Sequence, residues 1–189
     1  MKVAVIGASG FLGDALYHHL QAHGGVSVTP IVHSSGNVWN LARSCEPLVF
    51  VDLLDAAALS DALAGCTHVV NCSRGKQDAM LAGLDNIIAA CRRQHVNRLV
   101  HISSVAIYGT PAVEMPLTED ASTADASGYG ALKLRQDEKV IAANGSGLET
   151  VILCPPNIAG RASRFMEDVW NALAAGQLAL VDGGTRPFN

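Results

Sequence analysis

Tyr129 and Lys133 stand four residues apart in the stretch SGYGALK, residues 127–133. On a helix, residues i and i+4 share one face, so the phenol and the ammonium would lie side by side. An ordinary tyrosine has a pKa of ~10, too high for efficient acid–base work near neutrality. A lysine ammonium one turn away favours the phenolate and lowers that value. Such a pair could exchange a proton with an alcohol or a carbonyl oxygen. The same spacing arises often by chance, and one more turn of amphipathic helix reads identically. The rest of the chain has to separate the two.

A second constellation lies at the start. Gly7, Gly10 and Gly13 recur at three-residue intervals in GASGFLG, between an apolar β-branched run at 3–6 and a helical pattern at 11–22. A turn out of a strand suits a residue without a Cβ, and so does close approach of backbone to a pyrophosphate or of helix to strand. The helix start, at Phe11 and Leu12, then offers free N–H groups and a positive dipole end to phosphate. Strand, glycine loop and helix in that order point to a bound dinucleotide far more strongly than the glycines alone.

The elements that must position these residues follow a regular order. Strands are predicted at 3–6, 26–32, 47–51, 68–71, 98–102, 150–153 and 178–181. Helices are predicted at 11–22, with Leu12, Leu16 and Leu20 on one face, then at 55–63, 78–94, 127–143 and 164–174. Pro30 sits inside the second strand, where proline is disfavoured. Continuous apolar strands alternating with helices imply an α/β fold with a parallel sheet covered on both faces. The irregular stretch near 109–125 is long enough to suggest function.

The 189 residues are 49% hydrophobic and 16% charged, with net charge −4. That composition describes a packed core and gives no basic footprint for nucleic acid. The five cysteines are odd in number and lack C-x-x-C spacing, which fits a reducing cytoplasm. No apolar run is long enough for a membrane span, and the histidines and cysteines show no metal-ligand spacing. Trp39 and Trp170 read as packing residues.

The glycine spacing G-x-x-G-x-x-G resembles the extended branch of the short-chain dehydrogenase/reductase superfamily, the NAD-dependent epimerase/dehydratase family. Other segments carry the likeness along essentially the whole chain. SSVAIYG, residues 103–109, resembles the family's stretch after the fifth strand. It aligns Ser104 with the catalytic hydroxyl and Ser103 with a neighbour near the cofactor. The Y-x-x-x-K pair follows on the next long helix, as Tyr129 and Lys133. CPPNIAG, residues 154–160, resembles R-P-x-N-x-x-G, with Cys154 in place of arginine. Pro155 then borders the nicotinamide and Asn157 meets substrate. Asp52 and Leu53 take the place that meets adenine. Cys72 and Ser73, in NCS, resemble the segment under the cofactor.

The resemblance implies a Rossmann-type doubly wound parallel sheet and hydride transfer at a carbinol or carbonyl carbon of a sugar nucleotide or similar small molecule. Tyr129 would be the acid–base, Lys133 would tune it and bind ribose, and Ser104 would orient the reacting oxygen. Val105 and Ala106 follow Ser104 where dehydratases tend to have an acidic pair. A homodimer through the two long helices is implied as well.

The sequence also departs from the family. MLAGLDN, residues 80–86, keeps Gly83 and Asn86, but Met80 and Leu84 replace polar residues and should pack. The second strand ends in IVHSSGN, where His33 and the serines offer no carboxylate to a ribose 2′-hydroxyl. With Arg43 close by, NADP is favoured over NAD. Arg74 and Lys76, in a short loop, could reach a phosphate or simply be solvated. VDGGTRPFN places Arg186 where sugar-nucleotide members hold a diphosphate, but Pro187 and Phe188 depart from the pattern. Residues 1–160 read as the NAD(P)-binding domain and 161–189 as the start of a substrate lobe that is truncated or incomplete. The competing reading is a non-catalytic NAD(P)-binding sensor or interaction module that kept the fold.

Overall fold

The computed structural model describes residues 1–35, 38–42, 44, 46–109, 117–160 and 162–177. Met1–Cys154 form one compact unit and Pro155–Asn189 another. The first contains a six-stranded sheet, every pairing parallel: β1 Lys2–Ile6, β2 Ser27–Val32, β3 Val49–Phe50, β4 His68–Asn71, β5 Arg98–Ile102 and β6 Glu149–Leu153. Their spatial order is 3-2-1-4-5-6. Four helices serve as crossovers: α1 Phe11–His23, α2 Ala56–Ala62, α3 Gln77–Arg93 and α4 Gly128–Ala143. This is the Rossmann-type, doubly wound arrangement, whose strand order reverses between β1 and β4. The strand predicted at 178–181 lies outside the described residues.

The central strand β1 is buried on both sides because it is apolar at successive positions, whereas Val151 and Leu153 of the edge strand β6 are 37% and 50% exposed. Ala4 and Ile6 face one core with Leu59 of α2, Ile87 of α3 and Val140 of α4. Val3 and Val5 face the other, with Tyr17 of α1, Val28 and Leu41. Each fully buried Leu or Ile contributes roughly 1.5–3 kcal/mol. On α1 the buried stripe centres on Gly13 and Tyr17, with Leu16 and Leu20 at its margin. Asp55 starts α2 by accepting from the N–H groups of Ala57 and Ala58 at 3.1 and 3.0 Å. Trp39 and Trp170 do not pack as the sequence suggests: they are 69% and 62% exposed.

Pro30 is accommodated by parity. Ser27 donates to Met1 and Ile31 accepts from Gly7, so odd-numbered residues of β2 bond towards β1. Val32 accepts from Val51, so even-numbered ones bond towards β3. Pro30 therefore faces β3, whose pairing begins only at Ile31 with Val49. Its missing N–H removes no ladder bond.

The second unit holds α5, Arg164–Ala174. The Ser163 hydroxyl donates to the Ile158 carbonyl at 2.8 Å and the Ser163 N–H to the Gly160 carbonyl, just before the helix.

The contact on which α1 is seated gives the first test. A Cβ on Gly13 would stand 2.2 Å from the Gly7 carbonyl oxygen, against 3.2 Å for one on Gly10. Gly13→Ala should cost about 3 kcal/mol or prevent folding, and Gly10→Ala much less. Urea unfolding of the two variants measures the difference.

Candidate active site

The glycine loop is built by hydrogen bonds before any ligand enters. Gly7 has φ +78°, and a Cβ there would meet the Cys72 carbonyl at 3.0 Å. The N–H groups of Gly7 and Ala8 both donate to the Ile31 carbonyl at the end of β2, and Gly10 donates back to Gly7. Gly10 caps α1 with no side-chain hydrogen bond. The first-turn N–H groups of Phe11, Leu12 and Gly13 thus face outward without a side-chain cap, an arrangement that fits a pyrophosphate.

Two further sequence candidates meet at the same sheet end. His33 follows β2 and Asp52 follows β3, and His33 Nε2 lies 3.8 Å from Asp52 Oδ2 with both side chains exposed. Asp52 Oδ1 accepts from the Leu54 N–H at 2.9 Å. Leu53 turns inward against the core. A Cβ on Gly83 would come within 2.9 Å of it, and Asn86 Nδ2 donates to its carbonyl at 2.8 Å. Gly83 and Asn86 thus seat the segment after β3 on α3, while Met80 and Leu84 are buried beside them. Arg43 and Arg186 lie outside the described residues. Cys72 and Ser73 follow β4, with the Cys72 N–H donating to Ile6 at 2.9 Å. Burial pushes the Cys72 thiol up to about 11. Pro155 and Asn157 belong to the second unit, Pro155 half-buried and Asn157 exposed.

β5 and α4 bring the acid–base candidates together. Ser104 caps the short 3₁₀ turn Val105–Tyr108, its Oγ accepting from the Ala106 N–H at 3.2 Å. Accepting leaves its own hydrogen able to donate. A Cβ on Gly130 would stand 2.1 Å from the Ala106 carbonyl oxygen, so α4 presses directly on that turn. Next to Gly130, Tyr129 is 44% exposed. One turn on, Lys133 is 3% exposed, with Nζ 5.9 Å from the Tyr129 ring centre. Its ammonium donates to the Ile102 carbonyl, the last residue of β5, at 2.8 Å. Ser103 points the other way, its buried hydroxyl donating to Asp137 Oδ2 at 2.5 Å.

The electrostatics differ in one respect from the simple tyrosine–lysine picture. Burial lowers Lys133 to about 8, opposed chiefly by Asp137. Burial raises Tyr129 above the usual phenol value, and the cation that opposes this is Arg74. Its guanidinium carbon lies 5.7 Å from the Tyr129 ring centre, within cation–π range. The tyrosine stands between two cations, one exposed and one buried. Sequence reasoning weighed Arg74 as a phosphate contact or a solvated charge, and passed over Asp137. Asp137 was recoverable, since Tyr129, Lys133 and Asp137 follow one another at four-residue intervals on one face.

Among the described residues, no cluster of three or more His, Cys, Asp or Glu could hold a metal ion, and no helix is long and apolar enough to cross a membrane.

Known proteins resemble this chain in sequence and fold. Residues 3–186 match the model of the NAD dependent epimerase/dehydratase family. A 4-hydroxy-2-methyl-3-oxo-4-farnesyl-3,4-dihydroquinoline-1-oxide ketoreductase of Stigmatella aurantiaca is 28% identical over 97% of this chain and 58% of its own length. A 2-alkyl-3-oxoalkanoate reductase of Stenotrophomonas maltophilia is 31% identical over 98% of this chain and 59% of its own. The solved UDP-glucose 4-epimerase of Thermus thermophilus, in complex with NAD, superposes with a TM-score of 0.77 at 25% identity, covering 86% of this chain and 57% of that one. The chain thus spans less than two thirds of the length of each. The glycine loop, the 3-2-1-4-5-6 sheet and the match along residues 3–186 together establish that the chain belongs to the NAD-dependent epimerase/dehydratase family of the short-chain dehydrogenase/reductase superfamily.

Proposed function

We propose that the protein is an NAD(P)-dependent oxidoreductase or epimerase that moves a hydride at a carbinol or carbonyl carbon of a small substrate, such as a sugar nucleotide or an oxo compound. The observation that carries this reading is the seating of α4 on the Ser104 turn, which sets Tyr129 beside the buried ammonium of Lys133. When bound, the nicotinamide supplies the hydride chemistry. The loop at Gly7, Gly10 and Gly13 and the α1 start at Phe11 and Leu12 would hold the pyrophosphate. Asp52 and Leu53 would border the adenine, and Cys72, Ser73, Ser103 and Pro155 the rest of the dinucleotide.

The Ser104 hydroxyl would donate to the substrate oxygen and orient it. Tyr129 would take that oxygen's proton when an alcohol is oxidised and return it when a carbonyl is reduced. Lys133 would hold the phenolate and bond ribose hydroxyls. Asn157 and Arg186 would contact substrate, with residues 161–189 beginning its lobe. Val105 and Ala106 beside Ser104 supply no acid for dehydration, which favours oxidoreduction or epimerisation.

The preference for NADP inferred from the sequence rested on a β2 end free of carboxylates. Asp52 brings one there from β3, 3.8 Å from His33. Both cofactors therefore fit the proposal, and Asp52 is the residue that discriminates: it would hold His33 and oppose a 2′-phosphate.

Three measurements test this reading. Tyr129→Phe should abolish turnover while nicotinamide fluorescence still shows cofactor binding; substantial residual turnover in that variant would sink the assignment. Asp52→Asn should improve NADPH affinity relative to NADH by about fivefold, from relief of roughly 1 kcal/mol of repulsion, in parallel fluorescence titrations. Arg74 lowers the Tyr129 pKa, so Arg74→Gln should move the Tyr129 midpoint to higher pH. Tyrosinate absorbance, taken as the difference from Tyr129→Phe, reads that shift without any substrate.

A further inference from the structure

Beneath the proposed site lies a chain of buried polar groups whose directions can be assigned. Asn71, His101, Ser103 and Asp137 are each no more than 4% exposed. The Ser73 backbone N–H can only donate, so the Asn71 atom it meets at 3.1 Å is the carbonyl oxygen, which also accepts from the Ser73 hydroxyl at 2.6 Å. The other Asn71 atom is therefore the amide nitrogen, and it donates to His101 Nδ1 at 3.1 Å. With Nδ1 accepting, a neutral imidazole carries its hydrogen on Nε2. That nitrogen lies 3.8 Å from Asp137 Oδ1. Both atoms are buried and have no hydrogen-bond partner among the described residues, so each is a complement available to the other. Asp137 Oδ2 already accepts from Ser103.

We propose that Asp137 is a positioning residue: aimed by the Ser103 hydroxyl and the His101 Nε2–H, its carboxylate is the buried counter-charge that keeps Lys133 protonated behind Tyr129. This rests on the reading of Tyr129 and Lys133 as the catalytic pair. The geometry and the charges favour it: Asp137 lies one turn beyond Lys133 on α4, both are buried, and they bond successive residues, Lys133 the Ile102 carbonyl and Asp137 the Ser103 hydroxyl. From α4 it is faced by Tyr129 and Asp137, from the segment after β4 by Cys72 and Arg74, from β5 by His101, and after β6 by Cys154. Burial and Lys133 push His101 down to about 3, so it is neutral at pH 7. Burial raises both thiols, which are neutral as well. Arg74 carries a like charge. Among these groups Asp137 is the one anion. Burial raises its pKa, while the Ser103 hydrogen bond and Lys133 hold it towards the ionised form. An ammonium left in this site without a counter-charge would lose its proton rather than bear the desolvation.

The test reads Lys133 directly, by carbon NMR of protein labelled at the lysine Cε, with the signal assigned from Lys133→Met. The parent midpoint should lie near 8. Asp137→Asn should weaken proton binding at Lys133 by about tenfold or more, one pH unit, whereas Asp137→Glu should stay within about threefold of the parent. A folded Asp137→Asn variant with an unchanged midpoint overturns the proposal. If that variant does not fold, nitrogen NMR of His101 in the parent decides. An Nε2–H tautomer that stays neutral at about pH 5 supports the aiming of Asp137, and an Nδ1–H tautomer overturns it. Failure of the parent to bind NADH or NADPH would instead defeat the catalytic reading, and it would leave these midpoints untouched.

Discussion

A lysine ammonium held almost wholly out of water is the constraint around which this end of the protein is arranged. An isolated charge in such a place costs several kcal/mol after relaxation. The surroundings must therefore supply partners of the right polarity. The Ile102 carbonyl, on the last residue of β5, is one. The approach of α4 is another requirement, since Lys133 reaches that carbonyl only if the helix sits close to the turn that follows β5. Gly130 against Ala106 permits that closeness, and Tyr129 is the residue next to that contact. One packing distance thus sets both the buried charge and the place of the tyrosine proposed as acid–base.

The other half of the site obeys a parallel logic. Helix α1 can sit on β1 only because Gly13 lacks a side chain against Gly7. Gly7 in turn abuts the Cys72 backbone, which joins the glycine loop to the segment after β4. Ser73, in that segment, leads through Asn71 and His101 to Asp137. The two close glycine contacts, Gly13 on Gly7 and Gly130 on Ala106, are therefore connected by backbone at one end and by buried side chains at the other.

Much of this was legible in the chain itself. Strand and helix positions followed from apolar runs and periodicity, and the glycine loop from its place between them. That Tyr129 and Lys133 are neighbours followed from helical spacing, and the proposal that they form an acid–base pair came from the company of SSVAIYG. What escaped was whatever depends on distance between elements. Arg74 looked like one more solvated charge, because nothing in a linear sequence says that a loop after β4 overhangs α4. Asp52 lies far from His33 along the chain, and only the adjacency of β2 and β3 joins them. His101 looked bland because histidine in a strand carries no local signal of what lies across from it. The tryptophans misled in the opposite sense, since size and hydrophobicity favour burial without enforcing it.

The proline in β2 has a consequence for how the molecule behaves among its own copies. An exposed sheet edge is a template on which another chain can add a strand. One of the sheet's two edges is β3, two residues long, and Pro30 on β2 has no N–H to offer before the point where β3 begins. A chain approaching from that side finds too few backbone donors and acceptors to register against. The sheet is self-terminating at this edge, and a residue that weakens a strand in isolation protects the folded protein against strand-by-strand polymerisation.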